Sequence, residues 1–497
     1  MKYILSLDQG TTSSRAIVFD ESGNIAGIGQ KEFTQIYPQP GYVEHDPDEI
    51  FDSEMYAVNQ ALLVSGVKLS DISAVGITNQ RETTVAWDAK TGKPVCNAIV
   101  WQCRRTAPIC EKLRADGMED YIKKTTGLII DPYFSGTKMR WILENVPEAK
   151  ELQKNGRLRF GTVDTWLIWR LTAGRYYVTD ATNASRTQMF NIHTLSWDKK
   201  LMEWFGVSRE NLPNVVNSSG VAAYTDKSVF GAELPIAGIA GDQHAALFGQ
   251  CCFRKGMAKN TYGTGCFVLM NTGDEPCDSS HGLITTVAWS IGGKAAYALE
   301  GSAFNAGSAI QWMRDELKLI ETPQEADRLA ESVPDTAGAV FVPAFTGLGA
   351  PYWDMYARGS LFGVTRGCTK ANFARAVLES IAYESKDLFD AIEEDSGVSI
   401  TELRVDGGAS RSRFLMQFQS DIINNRIVRP YCLETTALGA AMLAGLAVGV
   451  WKNMDELTSI VRPGGEFEPH ADREEVGKLV AAWHKAVKAS MDWAKDR

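Results

Sequence analysis

The segment from Leu7 to Arg15 has residue types that bind phosphate oxygens, in the order Leu7-Asp8-Gln9-Gly10-Thr11-Thr12-Ser13-Ser14-Arg15. The pattern predicts a tight hairpin in which a glycine lets the backbone approach a ligand, hydroxyls and amides contact the oxygens, and an arginine adds positive charge. Asp8 ends the first strand, where its carboxylate could hold Mg²⁺ through water. An ordinary polar turn is the competing interpretation of the same spacing.

Two glycine-rich turns in the second half of the chain have similarly small side chains. Tyr262-Gly263-Thr264-Gly265 offers one hydroxyl group, and facing the first hairpin it would clamp a polyphosphate from both sides. Asp406-Gly407-Gly408-Ala409 joins a predicted strand to a predicted helix from about Ser412 to Ile423, so a flat ring or a phosphate could meet amides at the positive end of a helix. Both turns also fit simple connections that need glycine.

A carboxylate follows an apolar strand in Ile239-Ala240-Gly241-Asp242-Gln243-His244. Asp242 could accept a proton from a substrate hydroxyl, or it could cap the helix that begins there. His244 lies next to it without a second candidate metal ligand, so we interpret it as a packing or hydrogen-bonding residue.

The pair Arg81-Glu82, after a predicted strand, could bind vicinal hydroxyls through charge-assisted hydrogen bonds. Trp101 and Tyr133 could offer apolar faces to the carbon side of a polyol. As isolated residues, the charged pair also fits a surface ion pair, and the aromatic residues also fit a core.

Alternating apolar runs and turns predict the elements that position these residues. The first thirty residues predict a meander of three strands, and Asp46, Pro47 and Glu49 then mark a helix start with a capping box. The second half repeats this order, with a hairpin at 258–270, a helix from about Phe304 to Leu319 and another from Phe373 to Ile392. This repetition predicts a duplicated α/β architecture with a cleft, divided into domains 1–250 and 251–497.

Composition excludes several classes of protein. The 497 residues carry 51 Lys and Arg against 61 Asp and Glu, a net charge of −10, and no basic run, so a nucleic-acid partner is not expected. Neither a signal peptide nor an integral membrane segment is evident, which predicts a cytoplasmic protein. The nine cysteines form no C-x-x-C pair and are interpreted as reduced thiols, most of them in the core. A P-loop and a dinucleotide-binding fingerprint are both missing from the sequence.

Taken in order, the segments resemble the FGGY family of carbohydrate kinases, and within it the members that act on glycerol. The resemblance runs from Asp8 to about Gly449 and rests on an ordered set of motifs. Besides the hairpin and turns above, these are Ile77-Thr78-Asn79-Gln80-Arg81-Glu82-Thr83-Thr84, Trp101-Gln102-Cys103-Arg104-Arg105, Asp131-Pro132-Tyr133-Phe134-Ser135-Gly136-Thr137-Lys138 and Phe345-Thr346-Gly347-Leu348-Gly349-Ala350-Pro351-Tyr352-Trp353.

The resemblance implies two actin-like ATPase (ribonuclease-H-like) domains flanking a nucleotide cleft, with ATP and Mg²⁺ as cofactors. It implies ATP-dependent phosphorylation of glycerol to sn-glycerol 3-phosphate, with Asp242 as general base. The residues it assigns to glycerol are Arg81, Glu82, Trp101, Tyr133, Asp242 and Gln243. Those it assigns to the nucleotide are Thr11, Thr12, Ser13, Arg15, Thr264, Gly307, Gln311, Gly408 and Ser412, and those assigned to the metal are Asp8 and Asp242.

Two alternatives stay open: another FGGY sugar kinase acting on xylulose or gluconate, or a non-catalytic actin-like nucleotide-binding protein. The resemblance also implies a homodimer or homotetramer. Some bacterial members have an arginine loop that binds fructose 1,6-bisphosphate, or a histidine that is phosphorylated. The stretch from Tyr224 to Leu234 is short and has no arginine, and the stretch from Ser219 to Glu233 has no histidine, so we expect both controls to be absent. Ser412 stands where family members often present an asparagine toward adenine.

Overall fold

A computed structural model describes residues 2–495. The strands of its first half are β1 (Tyr3–Gln9), β2 (Ser13–Asp20), β3 (Ile25–Glu32), β4 (Glu44–His45), β5 (Ile72–Asn79), β6 (Val85–Asp88), β7 (Ala98–Ile99), β8 (Leu158–Gly161), β9 (Val178–Asp180), β10 (Phe190–Asn191), β11 (Ser196–Trp197), β12 (Asn214–Val216), β13 (Ser219–Tyr224) and β14 (Pro235–Gly241). The helices are α1 (Pro47–Ser65), α2 (Ala107–Ala115), α3 (Glu119–Thr126), α4 (Ser135–Asn145), α5 (Pro147–Lys154), α6 (Val163–Leu171), α7 (Ala181–Ala184), α8 (Lys199–Phe205), α9 (Lys227–Phe230) and α10 (Asp242–Gly249).

The second half follows with its own strands and helices. The strands are β15 (Met257–Tyr262), β16 (Cys266–Gly273), β17 (Ile284–Ile291), β18 (Lys294–Ala303), β19 (Val340–Val342), β20 (Ser360–Phe362), β21 (Glu402–Asp406), β22 (Ile427–Pro430) and β23 (Pro463–Phe467). The helices are α11 (Gly307–Asp315), α12 (Pro323–Glu331), α13 (Lys370–Ser396), α14 (Arg413–Ile423), α15 (Thr435–Ala447), α16 (Met454–Ile460) and α17 (Arg473–Ser490).

The main sheet has the same strand order in both halves. Within residues 2–495 it contains 13 strands, in the order β23-β22-β21-β15-β16-β18-β17-β13-β14-β5-β1-β2-β3. In the first half an antiparallel meander, β1-β2-β3, continues through α1 into β5 and then β14, which are parallel to β1. In the second half the antiparallel strands β15, β16 and β18 continue through α13 into the parallel strands β21 and β22. The repeated order predicted from the sequence is therefore present in the sheet.

This topology gathers the polar segments at the same ends of neighbouring strands. The turn from β1 to β2 lies beside the end of β5, because Gln9 pairs with Asn79, and β14 ends next to it at Gly241. In the second half β21 pairs with β15, and the end of β21 lies beside the β15–β16 turn, with Asp406 opposite Thr261. Ligands of open α/β sheets bind beyond the carboxyl ends of such strands.

Helices α10 and α15 pack unusually closely between the halves. A Cβ placed on Gly439 would lie 1.8 Å from the Ala245 carbonyl oxygen, and one on Gly249 would lie 2.0 Å from the Thr435 oxygen. The apolar segment rich in alanine and glycine that contains α15 is thus a buried packing helix. Within residues 2–495 no helix is long and apolar enough to cross a membrane.

Some local predictions need correction. Asp46 caps α1 by accepting hydrogen bonds from the Asp48 and Glu49 amides, but the predicted capping box does not form, because the Glu49 carboxylate instead accepts from the Thr34 amide and hydroxyl at 3.0 Å. The helix predicted from Phe304 to Leu319 is shorter and begins at Gly307. The cysteines are free, and the adjacent pair Cys251 and Cys252 is buried, as expected.

Candidate active site

The hairpin between β1 and β2 has the tight geometry that the sequence predicts. The Gly10 amide donates to the Ser13 carbonyl at 3.0 Å, which closes the turn. The Arg15 guanidinium forms an ion pair with Glu434 just before α15, so the hairpin reaches the second half of the chain. The Thr11 hydroxyl accepts a hydrogen bond from the Trp101 indole at 2.9 Å. The turn also leaves its polar side chains at least partly accessible to solvent: Thr11, Thr12, Ser13 and Arg15.

The Asp8 carboxyl lies opposite Arg15 in the register of β1 and β2. Burial raises the pKa of Asp8 to about 7; the Arg15 charge opposes this rise, while the charges of Glu434 and Asp242 add to it. A carboxyl with this excess of negative charge around it is suited to a divalent cation. Among residues 2–495 no cluster of three or more histidine, cysteine or acidic side chains could hold a metal ion.

Arg81 and Glu82 lie in a charged pocket that we define as Arg81, Glu82, Arg186, Asp242 and Glu300. Arg81 makes two hydrogen bonds to Glu300, at 2.5 and 2.9 Å, and its Nε lies 3.2 Å from Asp242 Oδ1. Both Arg81 and Glu82 are almost completely buried, so the surface ion pair considered from the sequence is wrong. Their mutual contact is the weakest of the set, at 3.8 Å.

Arg186 completes the charged pocket from the turn after α7. Its Nε donates to Glu82 at 2.6 Å, and its Nη2 donates to Glu300 at 3.2 Å. Glu82 has a positive φ of 58°, a backbone conformation that costs energy for a residue other than glycine and that recurs at functional sites. Burial alone would raise the pKa of Glu300, yet the charges of Arg186 and Arg81 hold that pKa well below its usual range. Two buried carboxylates are thus held by two guanidinium groups.

Asp242 stands at the mouth of the charged pocket, with its side chain 31% exposed. Asp242 is the first residue of α10, and the N-cap position belongs to Gly241. The capping role that the sequence left open for Asp242 is therefore wrong. Burial raises the pKa of Asp242, while the positive charge of Arg81 opposes the rise. The neighbouring His244 is fully buried and lies 3.1 Å from the Thr286 hydroxyl, as expected for a packing residue.

Two aromatic rings line the approach to these charges. The rings of Trp101 and Tyr133 meet edge to face, 5.6 Å apart, and both side chains are only partly buried. The Tyr133 hydroxyl accepts from Arg81 Nη2 at 3.2 Å, so the ring is fixed against the charged pocket. Neither residue is a core residue.

We call the segments 263–265 and 406–408 the glycine turns. Gly307 and its neighbours at the start of α11 donate backbone hydrogen bonds to the Gly263 and Thr264 carbonyls, at 2.8–3.1 Å. Gly407 packs on the Tyr262 backbone, which joins the two turns. Thr264, Gln311 and Gly408 are exposed around them, so nucleotide atoms could approach them freely.

Ser412 differs from the expectation that its hydroxyl faces a base. It caps α14 by accepting from the Leu415 amide at 3.0 Å, and it donates to Asp327 at 2.5 Å. Its hydroxyl is therefore engaged within the protein, and only 8% of the residue is exposed.

Sequence reasoning missed three buried charges at this site: Arg186, Glu300 and Lys259. Lys259 lies inside the predicted hairpin, and Glu300 directly follows the apolar run from Ala295 to Leu299, so a charge within or beside a predicted strand was an available signal. Arg186 lies in a polar stretch, Asn183-Ala184-Ser185-Arg186, that carries no comparable signal.

The sheet, its repeated halves and the site at their junction define the actin-like ATPase fold, in a two-domain α/β form. The models of the FGGY family of carbohydrate kinases match residues 3–249 (N-terminal domain) and 258–448 (C-terminal domain). The chain belongs to the FGGY family of carbohydrate kinases.

Relatives along the whole chain carry a narrower name. The chain is 58% identical over 495 residues to Glycerol kinase 2 of Thermotoga maritima, and 57% identical over 495 residues to Glycerol kinase of Caldanaerobacter subterraneus subsp. tengcongensis, with 100% of each chain covered. It superposes on the crystal structure of Plasmodium falciparum glycerol kinase with ADP with a TM-score of 0.94 and 38% identity, covering 99% of this chain and 98% of that one. It also superposes on gluconate kinase from Lactobacillus acidophilus with a TM-score of 0.87, at 25% identity and 98% coverage of both chains.

Proposed function

We propose that this chain transfers the terminal phosphoryl group of ATP to glycerol, giving sn-glycerol 3-phosphate. The observation that carries the proposal is the charged pocket, in which paired charges surround one accessible carboxylate, Asp242. Full-length relatives named glycerol kinase at 56–58% identity support the choice of substrate. The solved glycerol kinase with ADP supports the choice of nucleotide.

Each polar group near Asp242 has a role that its chemistry allows. The guanidinium of Arg81 donates to hydroxyl oxygens, the Glu82 carboxylate accepts from hydroxyl hydrogens, and the Gln243 side chain adds a neutral donor. Trp101 packs on the carbon atoms of the polyol, and Tyr133 closes the pocket beside it. Together they select a small molecule with hydroxyl groups on one side and carbon on the other.

Asp242 is the general base in this proposal. It receives the proton of the terminal hydroxyl as that oxygen bonds to the terminal phosphorus of ATP, while the bond from this phosphorus to the bridging oxygen breaks and ADP leaves. Burial suits Asp242 to this task by raising its pKa and so its proton affinity. The nearby Arg81, 3.2 Å away, orients the carboxylate. Phosphoryl transfer needs such positioning and charge neutralisation more than covalent help.

On the nucleotide side, Thr11, Thr12, Ser13 and Arg15 bind the phosphates, and Thr264, Gly307, Gln311 and Gly408 line the rest of the site. Asp8 and Asp242 would hold Mg²⁺, which would supply charge neutralisation for the transferred phosphoryl group. For Ser412 we propose a supporting role, because its hydroxyl is bound to Asp327.

Coupled measurement of ADP release across a panel of polyols tests the substrate. We expect glycerol to give the highest kcat/KM, because the contact between Trp101 and Tyr133 narrows the approach. A clear preference for xylulose or gluconate would instead assign the chain to another FGGY sugar kinase, a candidate that the fold match to gluconate kinase keeps in the test. The absence of any turnover would leave a non-catalytic nucleotide-binding protein.

A homodimer or homotetramer and a cytoplasmic location also belong to this proposal. Light scattering of the purified protein measures the number of copies.

A further inference from the structure

Lys259 is a buried cation beside the substrate residues, and the proposed mechanism has not used it. It lies in the middle of β15, paired with Arg404 of β21, and has no exposed surface. Its Nζ donates to the side-chain oxygen of Gln243 and, at 3.0 Å, to the Thr261 hydroxyl. Its hydrogen bonds therefore go to two neutral oxygens and not to a carboxylate.

Charge around Lys259 explains how a buried ammonium persists there. Burial lowers the pKa of Lys259 to about 8, with a further lowering from the charge of Arg81, while the carboxylates of Asp406, Glu300 and Asp242 oppose the fall. An ammonium in this setting still carries its proton near neutral pH. As an ammonium it can only donate hydrogen bonds, since it has no lone pair.

This one-way bond fixes the orientation of the Gln243 amide. An amide side chain can rotate by half a turn and exchange its oxygen for its nitrogen, at little cost unless a neighbour distinguishes the two. Lys259 can donate only to the amide oxygen, so the amide nitrogen is directed away from the Lys259 ammonium. Gln243 directly follows Asp242, so this nitrogen is a directed donor next to the proposed base.

We propose that Lys259 is a positioning residue for the polyol: by binding Gln243 Oε1 from the buried strand β15, it presents Gln243 Nε2 as a fixed donor to a substrate hydroxyl. The arrangement complements the other groups of the pocket, because a hydroxyl both donates and accepts. Asp242 and Glu82 receive hydroxyl hydrogens, while Gln243 and Arg81 donate to hydroxyl oxygens. The inference rests on the proposed function, of which it names a further residue.

The test compares wild type with Lys259→Met, Lys259→Arg, Gln243→Ala, Gln243→Glu and the double variant Lys259→Met/Gln243→Ala. Glycerol Kd without nucleotide and ADP Kd are measured by calorimetry, and kcat and KM by coupled ADP release. Lys259→Met should raise glycerol Kd and KM about tenfold, the value of one oriented hydrogen bond, with kcat and ADP Kd within about threefold of wild type. Lys259→Arg should recover part of the loss.

The double variant separates positioning from support of the fold. If Lys259 acts through Gln243, the double variant binds glycerol no worse than Gln243→Ala alone. Gln243→Glu keeps an acceptor for Lys259 but lacks the amide nitrogen. This variant should therefore fold, and its glycerol Kd should be about tenfold higher than that of wild type. It provides the test if Lys259→Met does not fold. Thr261→Val, which removes the other acceptor of Lys259, serves as the matched control, with glycerol Kd expected within about twofold.

Unchanged glycerol Kd in Lys259→Met, additive losses in the double variant, or unchanged glycerol Kd in Gln243→Glu would each overturn the inference. Wild-type protein that neither binds nor phosphorylates glycerol would instead overturn the proposed function. The two failures are thus distinct.

Discussion

In the charged pocket, Arg81, Glu82 and Glu300 are almost completely buried, with Glu300 bonded to Arg81 and Glu82 bonded to Arg186, whereas around the glycine turns Thr264, Gln311 and Gly408 are exposed. Hydrogen bonds between the charged side chains hold the first region in place. The second offers backbone and small side chains, held by hydrogen bonds such as Ala306 to Thr264 at 2.8 Å. A small polyol has few atoms to recognise and needs fixed charges, whereas a nucleotide has many oxygens that backbone amides can bind.

This difference predicts where single substitutions have large effects. Side-chain changes in the charged pocket should remove chemistry or leave a buried charge unpaired. Changes at the glycine turns should matter chiefly where they alter the backbone. The predictions below run from the largest expected effect to the smallest.

Asp242→Asn should lower kcat by about 10²–10⁴, because it removes the group that accepts the proton. ADP Kd should stay within about threefold, since the glycine turns are unaltered. Coupled ADP release and calorimetry with ADP measure the two quantities. Turnover close to that of wild type would remove Asp242 from its proposed role.

Glu300→Gln should destabilise the fold by about 3–5 kcal/mol, because Arg81 loses the carboxylate to which it makes two hydrogen bonds and Arg186 loses one of its two carboxylate partners. The free energy of unfolding in urea measures this change. Glu151→Gln is the matched control, since its ion pair with Lys154 is exposed on both sides and should be worth less than about 1 kcal/mol. Equal losses in the two variants would contradict the contrast between the buried and exposed pairs.

Gly407→Ala should cost about 1–3 kcal/mol of stability, because Gly407 has φ 84° and a Cβ there would lie 2.5 Å from the Tyr262 carbonyl oxygen. Gly408→Ala has open space around its Cβ and should change stability by less than about 0.5 kcal/mol. A methyl group at Gly408 should still raise ADP Kd about tenfold, because it occupies the surface that we assign to the nucleotide. Thermal unfolding and ADP calorimetry on both variants test this pair, and equal stability losses would show that backbone conformation is not the cause.

The smallest effect should come from an ion pair outside both regions, in which the histidine is half exposed and the aspartate is buried. His484 lies 2.9 Å from Asp387, and this hydrogen bond raises the pKa of His484. Because the folded-state pKa lies above the unfolded one, the pair stabilises the fold below about pH 6.5 and loses this contribution as pH rises through the folded-state pKa.

The difference in unfolding free energy between wild type and His484→Gln, measured in urea at pH 6 and pH 9, should therefore be larger at pH 6. With the His484 side chain 50% exposed, it should stay below about 1 kcal/mol. A difference that is equal at both pH values would show that the pair carries no linked charge.

Local patterns in the sequence were enough to predict the hairpins and the strand ends. The β1–β2 and β15–β16 turns are marked by small polar residues between apolar runs, and both hairpins form where predicted. Asp242 was placed directly after its strand because Ile239 and Ala240 are apolar and Gly241 ends the run. Such features depend on neighbours within a few residues, which a sequence displays directly.

The partners of Arg81 show where that reasoning stopped. The sequence predicts Glu82, next to it in the chain, as its partner, yet Glu300, 219 residues away, makes the close bonds. The same holds for Arg186, which reaches Glu82 across 104 residues. Strand order and register decide these pairings, and neither is visible in composition or spacing.

The sequence by itself therefore determined the class of fold, the repeated halves and the segments that carry the chemistry, because hydrophobic period and glycine placement act locally. Only the tertiary structure decided that Arg81, Arg186, Glu82 and Glu300 form one buried set, and that Lys259 orients Gln243. The physical reason is burial. A charge removed from water must find a partner wherever the fold brings one, so the pairing follows the packing of distant strands and not the order of residues along the chain.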